Sequence, residues 1–329
     1  ASDVYKRQSL LYKLRFTTAV HFGPPDSALS LYTSGQTFCA DTLFSALCHA
    51  ALSLQGPAGV EELCRWVQQG ELFLSDGMPW HQDTFYLPKP MVQASTPAEL
   101  PAADRKAMKK LQWLPVEVLD SYAQSLAGGP AFAPRQYAVS FGGEEAFTRA
   151  RVCEGEDTVP YTVGAYTFAE DCGLYFLARC GQPEQQKRLN TLLEVLGCTG
   201  MGGKVSSGYG RFTVETVADL DAPADAQTRW FHDALTGAHP RYLVVSASLP
   251  RDDELDAALE GAHFALVRRG GFVQSPTYSS NAEKKRTQYF LASGSVVLHP
   301  FAGDLYEVGG SGSHPVYRYG RPILLGVTL

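Results

Sequence analysis

A chain of 329 residues with 45% hydrophobic side chains is long enough to bury one large core or two medium ones, and two is the expectation. No run of about eighteen apolar residues occurs and the start lacks a charged-then-apolar leader, so a cytoplasmic protein is expected rather than a membrane-spanning or secreted one. The formal net charge of −6 opposes binding to a polyanion unless positive charge is gathered locally.

Charge is in fact uneven along the chain. Acid accumulates at Glu215, Asp219, Asp221, Asp225, Asp233, Asp252, Asp253, Glu254, Asp256 and Glu260, whereas the stretches 105–110, 135–151, 204–211 and 284–286 lean basic. The seven cysteines are odd in number and never spaced as Cys-x-x-Cys, so they read as reduced thiols rather than a zinc site or disulfide framework. The histidines never pair at helical spacing. No metal and no cofactor is expected.

The first eight residues, ASDVYKRQ, share no pattern with the rest of the chain and read as a cloning or assembly scar. From Leu10 the alternation of Leu11, Tyr12, Lys13, Leu14 and Arg15 predicts a half-buried strand. Asp41 is positioned to cap a helix whose Leu43, Phe44, Leu47, Ala51 and Leu54 share one face, and Gly56-Pro57 stops it. A second helix is expected over 60–69. Between Pro88 and Pro160 the texture changes to prolines, glycine pairs and a lysine-bearing helix around Lys106, Lys109 and Lys110, which reads as an insertion.

A strand over 173–180, a helix over 183–196 and a strand over 209–217 come next. The order strand, helix, strands, helix, strand predicts an α+β protein whose first domain, residues 9–218, is ferredoxin-like (RRM-like) with an insertion at about 88–160. Residues 219–240 suit a linker. Strands expected at 242–249, 262–268, 289–298 and 323–329, with a helix at 252–259, suggest a second RRM-like domain over 241–329.

The most informative segment runs from Gly200 to Phe212, GMGGKVSSGYGRF, with five glycines in its first eleven positions. Glycines let backbone approach a ligand and expose N–H groups, while Lys204, Arg211, Ser206 and Ser207 offer charge and hydroxyls to phosphate. Tyr209 and Phe212 suit either base stacking or the core. As a P-loop the segment fails, because Cys198 replaces the first glycine and Val205 the magnesium-binding hydroxyl, and it lies between a helix and a strand rather than the reverse. A glycine-rich turn closing a helix–strand joint is the alternative reading.

The pattern G-G-K-x-S-x-G-Y-G-R-F after such a helix resembles the signature of the RAMP superfamily of CRISPR proteins. Phe16 with His21-Phe22-Gly23, the run Asp41 to Leu47, Tyr86 to Pro90, Arg149-Ala150-Arg151, Tyr161 to Phe168, Gly173 to Tyr175 and Ser293 to Val296 look like the Csm-type subunit of type III-A effector complexes. The resemblance implies a non-catalytic subunit gripping the 5′ repeat-derived handle of a guide RNA (crRNA), beside a large polymerase-like subunit and the backbone RAMP subunits. The insertion then corresponds to that family's thumb. The expected RNA contacts are His21, Lys89, Arg149, Arg151, Gly202, Gly203, Lys204, Ser206, Ser207, Gly208, Tyr209, Gly210 and Arg211. The acidic run Cys153 to Asp157 departs from the pattern at the insertion's turn.

His21 invites a competing reading, a metal-independent endoribonuclease processing precursor guide RNA, since related RNA-cleaving enzymes place a histidine near such a loop. No second acid or base stands at a diagnostic spacing, so His21 reads first as a structural residue or hydrogen-bond donor. Lys89, between Pro88 and Pro90, is expected to be presented rigidly, and the basic run Lys284-Lys285-Arg286 is a solvated loop that meets RNA or an acidic neighbour in a complex.

Overall fold

The computed structural model describes residues 7–23, 31–93, 101–151 and 159–329. In chain order the elements are β1 (Gln8–Phe16), α1 (Ala40–Gln55), α2 (Pro57–Gln68), β2 (Leu72–Leu74), β3 (Met78–His81), β4 (Thr84–Pro88), α3 (Ala102–Lys110), β5 (Trp113–Pro115), α4 (Leu119–Leu126), β6 (Gly142–Arg151), β7 (Val159–Phe168), β8 (Cys172–Cys180), α5 (Pro183–Thr199) and β9 (Phe212–Asp219). The C-terminal third adds α6 (Ala226–Leu235), β10 (Arg241–Val244), α7 (Leu255–Leu259), β11 (Leu266–Arg269), β12 (Gln288–Leu291), β13 (Val296–Val297), β14 (Leu305–Glu307), β15 (Tyr317–Tyr319) and β16 (Leu324–Val327).

The principal sheet is antiparallel, in the order β5-β4-β3-β8-β1-β9, with β2 sharing the β8 edge that β3 also occupies. Alternation along β1 decides which side chain serves which core. Leu10, Tyr12 and Leu14 point to a core shared with Leu43, Phe44 and Leu47 of α1 and Leu189, Leu192 and Leu193 of α5. Leu11 points the other way, with Tyr175, Leu177, Phe231 and Leu243. The strand is therefore buried on both faces, not half-buried as its sequence suggests, because C-terminal elements cover the second face. It also begins at Gln8, inside the segment read as a scar, where Gln8 pairs with Cys180.

That second layer revises three further expectations. The segment 219–240, expected as a linker, holds α6, started by Asp225 capping Thr228 at 2.8 Å and anchored by the fully buried Phe231. The region read as an insertion is woven into the fold: Leu114, Val116, Leu119, Tyr122 and Phe132 lie in the second core, while the β6–β7 hairpin forms a two-stranded sheet of its own. The turn with the acidic run lies outside the described residues. The C-terminal region, expected as a second ferredoxin-like domain, consists of a three-stranded sheet in the order β13-β10-β16 and the two-stranded pairs β11-β12 and β14-β15. β14 and β15, not foreseen from the sequence, send Leu305 and Tyr319 into the first core.

The corner where these layers meet lies between β2 and β3. Ser75, Asp76 and Gly77 interrupt what would be one long strand, and a Cβ on Gly77 would lie 2.6 Å from the Phe38 ring. Asp76 Oδ1 accepts the N–H of Ala40 at 2.7 Å, at the start of α1, and the N–H of Ala247 at 2.9 Å, beyond β10. Burial pushes this carboxyl up to about 7 against the opposing effect of its two backbone donors.

The resulting pH dependence has a definite sign. Between roughly pH 4 and pH 7 the native protein keeps a proton on Asp76 that the unfolded chain has released, so this residue's contribution falls as pH rises through that window, by at most about 1.4 kcal/mol per unit. In Asp76→Asn the amide oxygen accepts both hydrogen bonds without burying charge. The variant should gain stability relative to wild type as pH rises from about 4 to 7, read from urea midpoints; a constant difference across that range refutes the account.

Candidate nucleic-acid interface

Helix α5 is begun by Pro183, with Gln185 Oε1 accepting the N–H groups of Gly181 and Gln182, and it ends at Gly200, whose φ of +94° only glycine adopts without strain. The glycine loop then folds back on the β1–α1 connection. Gly203 donates its N–H to the carbonyl of His21 at 2.8 Å, and Gly210 donates to Ala19 at 2.8 Å. A Cβ on Gly203 would sit 2.5 Å from the His21 ring. The loop's close approach is thus to its own protein on one side, leaving Ser206 and Ser207 exposed on the other.

The sequence-predicted residues divide accordingly. Gly202, Gly203, Lys204, Ser206 and His21 line a single cleft of about 910 Å³. Tyr209 and Gly210 are buried and close the loop, and Phe212 belongs to the first core, so no ring of this segment is offered to a base. Gly208, at φ +86°, borders open space, and Arg211 is exposed.

His21 is buried and its Nδ1 donates to the carbonyl of Gly164 at 2.6 Å, since a carbonyl can only accept. This sets the tautomer: Nε2 carries the lone pair when the ring is neutral. Arg149 of β6 donates to the Tyr209 hydroxyl at 3.0 Å and lies over its ring, while Lys204 stands 5.2 Å from the ring centre of Tyr161 on β7. The hairpin is thereby tied to the glycine loop. Arg151 pairs through its backbone with Val159 on the same hairpin. Lys89 is placed elsewhere: its ammonium donates to the carbonyl of Met108 at 2.6 Å, and burial lowers its pKa.

Sequence reasoning missed most of the opposite wall. Arg269 from β11, Lys285 and Arg318 from β15 face Lys204 across the cleft, and α1 contributes Thr42, Ser45, His49 and Ser53 to its floor. Only Lys285 had a signal, within the basic run at 284–286. Asp41 does not cap α1, because Cys39 holds the cap position and Asp76 supplies the acceptor. Its carboxylate instead binds Arg269 twice, at 2.6 and 2.9 Å, with the Arg318 guanidinium 3.8 Å away. Although burial opposes its charge, Asp41 holds the Arg269 guanidinium above the ordinary value. Burial and then Arg318 lower the Lys285 pKa, and burial and then Lys285 lower that of His49. Four cationic side chains against one carboxylate leave a cleft suited to an anion within a protein of negative net charge.

The whole chain has the fold of a subunit of type III CRISPR effector complexes. It matches a chain of the crystal structure of a Csm3-Csm4 subcomplex in the type III-A CRISPR-Cas interference complex, with a TM-score of 0.63 and 18% identity over 98% of this chain and 100% of that one. A Csm1-Csm4 cassette in complex with cA4 matches with a TM-score of 0.57 and 21% identity, covering 98% and 99%. In sequence, the CRISPR system Cms protein Csm4 of Mycobacterium tuberculosis (strain ATCC 25618 / H37Rv) is 35% identical over 323 residues, 97% of this chain and 98% of that protein. The Streptococcus thermophilus protein of the same name is 29% identical over 322 residues, covering 95% and 97%. The family model of the CRISPR Csm4 C-terminal domain matches residues 238–327. The chain belongs to the Csm4 family.

The Asp41–Arg269 pair supplies a test of how the cleft wall is held. Asp41→Ala leaves a buried guanidinium short of its anion and should cost about 3–5 kcal/mol. Arg269→Leu in the same chain should recover part of that loss, measured by urea unfolding. Additive losses in the double variant mean that the two side chains are not coupled.

Proposed function

We propose that this chain is the non-catalytic RNA-binding subunit of a type III-A CRISPR effector complex, holding the 5′ repeat-derived handle of the guide RNA in the cleft and bridging the large polymerase-like subunit to the backbone subunits. The observation that carries the reading is the cleft itself. It brings Lys204 and Ser206 of the glycine loop together with Arg269, Lys285 and Arg318 from a distant part of the chain. The volume of about 910 Å³ and the sign of charge suit a sugar–phosphate backbone with its bases turned toward the hydroxyls of α1. Family relatives in solved structures are found with Csm3 and with Csm1, the partner types this reading requires.

The sheet order β9-β1-β8 followed by β2 and β3, with α1 and α5 on one face, supports a ferredoxin-like N-terminal unit. On this reading the β6–β7 hairpin is the thumb. Arg149 and Arg151 extend along it from the glycine loop, and the ties from Arg149 to Tyr209 and from Lys204 to Tyr161 couple its position to that of the bound strand. Catalysis needs an acid and a base flanking one phosphate. His21 has one ring nitrogen committed to Gly164 and serves here as the post against which Gly203 packs.

Because the net charge of −6 opposes the close approach of RNA, within the screening length of about 8 Å at physiological salt, the free chain should bind repeat RNA weakly and the assembled complex tightly. Lys204→Glu should lower guide occupancy in reconstituted complexes at least tenfold. It should also reduce the slope of log affinity against log salt by about 0.7. Unchanged occupancy in a folded Lys204→Glu complex counts decisively against the cleft. Cleavage of repeat RNA by the free chain in EDTA, abolished by His21→Ala, overturns the non-catalytic reading.

A further inference from the structure

The β11–β12 hairpin has two sides, and the cleft uses only one. Side chains alternate along a strand, so Val267 and Arg269, which line the cleft, leave Leu266 and Arg268 on the reverse. Lys285 lines the cleft in the same way, while its exposed neighbours Lys284 and Arg286 do not. On and beside this outer side, four large apolar residues stand in solvent: Leu266 at 58% exposure, Tyr289 at 57%, Phe272 at 45% and Phe264 at 41%. Such a concentration on one hairpin is costly in water and marks a contact surface.

The kind of contact is set by the groups that accompany the rings. Tyr289 is the cross-strand partner of Arg268, and the Lys284 ammonium stands 5.7 Å from the ring centre of Phe272, its bridge partner. Protein–protein patches are depleted of lysine, whereas here a lysine ammonium stands over one of the rings. Stacking rings for bases and cations for phosphates, side by side, are the arrangement that takes a single strand without reading its sequence. The surface is also the back of the cleft wall, reached by passing over one hairpin.

We propose that the outer side of the β11–β12 hairpin is a stacking platform for single-stranded RNA that leaves the cleft, with Tyr289 and Phe272 beneath bases and Lys284 and Arg268 on the flanking phosphates. The proposal rests on the reading of the cleft as an RNA site. It adds that the bound strand continues around the hairpin, so the protein occupies more nucleotides than the cleft alone accommodates.

The test compares the full-length protein with two oligouridines, one of about 6 nucleotides that the cleft alone accommodates and one of about 16, at low salt. Phe272→Ala/Tyr289→Ala should weaken the longer RNA at least fivefold and leave the shorter unchanged, and Lys284→Glu, which removes no apolar contact from the fold, should do the same. With 5-iodouridine in the longer RNA, photocrosslinks should map to Tyr289 or Phe272. Equal affinity of wild type and both variants for the longer RNA overturns the platform. Variants that keep RNA affinity but fail to enter the reconstituted effector complex also overturn it, and assign the surface to a protein partner. If Lys204→Glu binds both RNAs normally while the platform variants lose the longer one, the cleft reading fails and the platform stands alone.

Discussion

One oxygen of Asp76 holds three layers of this protein in register. It receives the first helical N–H of α1 and the N–H of Ala247 beyond β10, and it can do so only because the strand pairing with β8 is broken at Ser75 to Gly77. The Ser75 hydroxyl accepts the Leu177 N–H at 2.8 Å, so the break leaves β8 with its hydrogen bonds satisfied. With α1 set by Asp76, its next residue, Asp41, meets Arg269 from a strand more than two hundred positions away. The cleft exists at that junction. Its near wall and floor come from the β1–α1 connection, α1 and the glycine loop after α5, and its far wall from residues 267–318, and the buried carboxyl and the buried ion pair keep the walls at a fixed separation.

Much of this was legible in the sequence where the signal is local. The alternation at 10–15, the leucine stripe of α5 and the glycine loop after it each report on neighbours a few residues apart, and the elements lie close to where those patterns place them. The glycine loop also carried the family resemblance. The features that stayed hidden depend on tertiary partners. Asp41 looks like a helix cap because caps are acidic residues at helix starts, yet the true acceptor lies thirty-five positions later. Tyr209 looks like a stacking residue because it is aromatic beside glycines, but its ring is buried and its hydroxyl taken by Arg149. Arg269 and Arg318 had no local mark at all. Pro and Gly texture made 88–160 look like an insertion, although its Leu114, Val116 and Phe132 fill the second core.

The acidic stretch from 215 to 260 illustrates why net charge misleads here. Glu215 pairs with Arg15 at 2.9 Å, Asp221 accepts the Ser9 N–H at 3.0 Å, Asp225 caps α6, and Glu254 accepts the N–H groups of Ala302 and Gly303. Much of the acid is spent on strand ends and turns. The cations that matter for a polyanion are instead gathered along the cleft, whose lining includes Lys204, Arg269, Lys285 and Arg318 and none of those carboxylates.

Tyr319 bears on how the protein is made. Its side chain is fully buried in the first core, against Phe44 of α1, and its hydroxyl accepts the Leu74 N–H at 2.8 Å. A core begun by residues 10–51 is thus left with a hole until residue 319 has been synthesised. During translation the N-terminal sheet emerges first, at about 5–20 residues per second, and must persist in an incompletely packed form for many seconds before its last large side chain leaves the ribosome. The cleft, whose far wall includes Arg318, therefore takes its final shape only after that residue has left the ribosome.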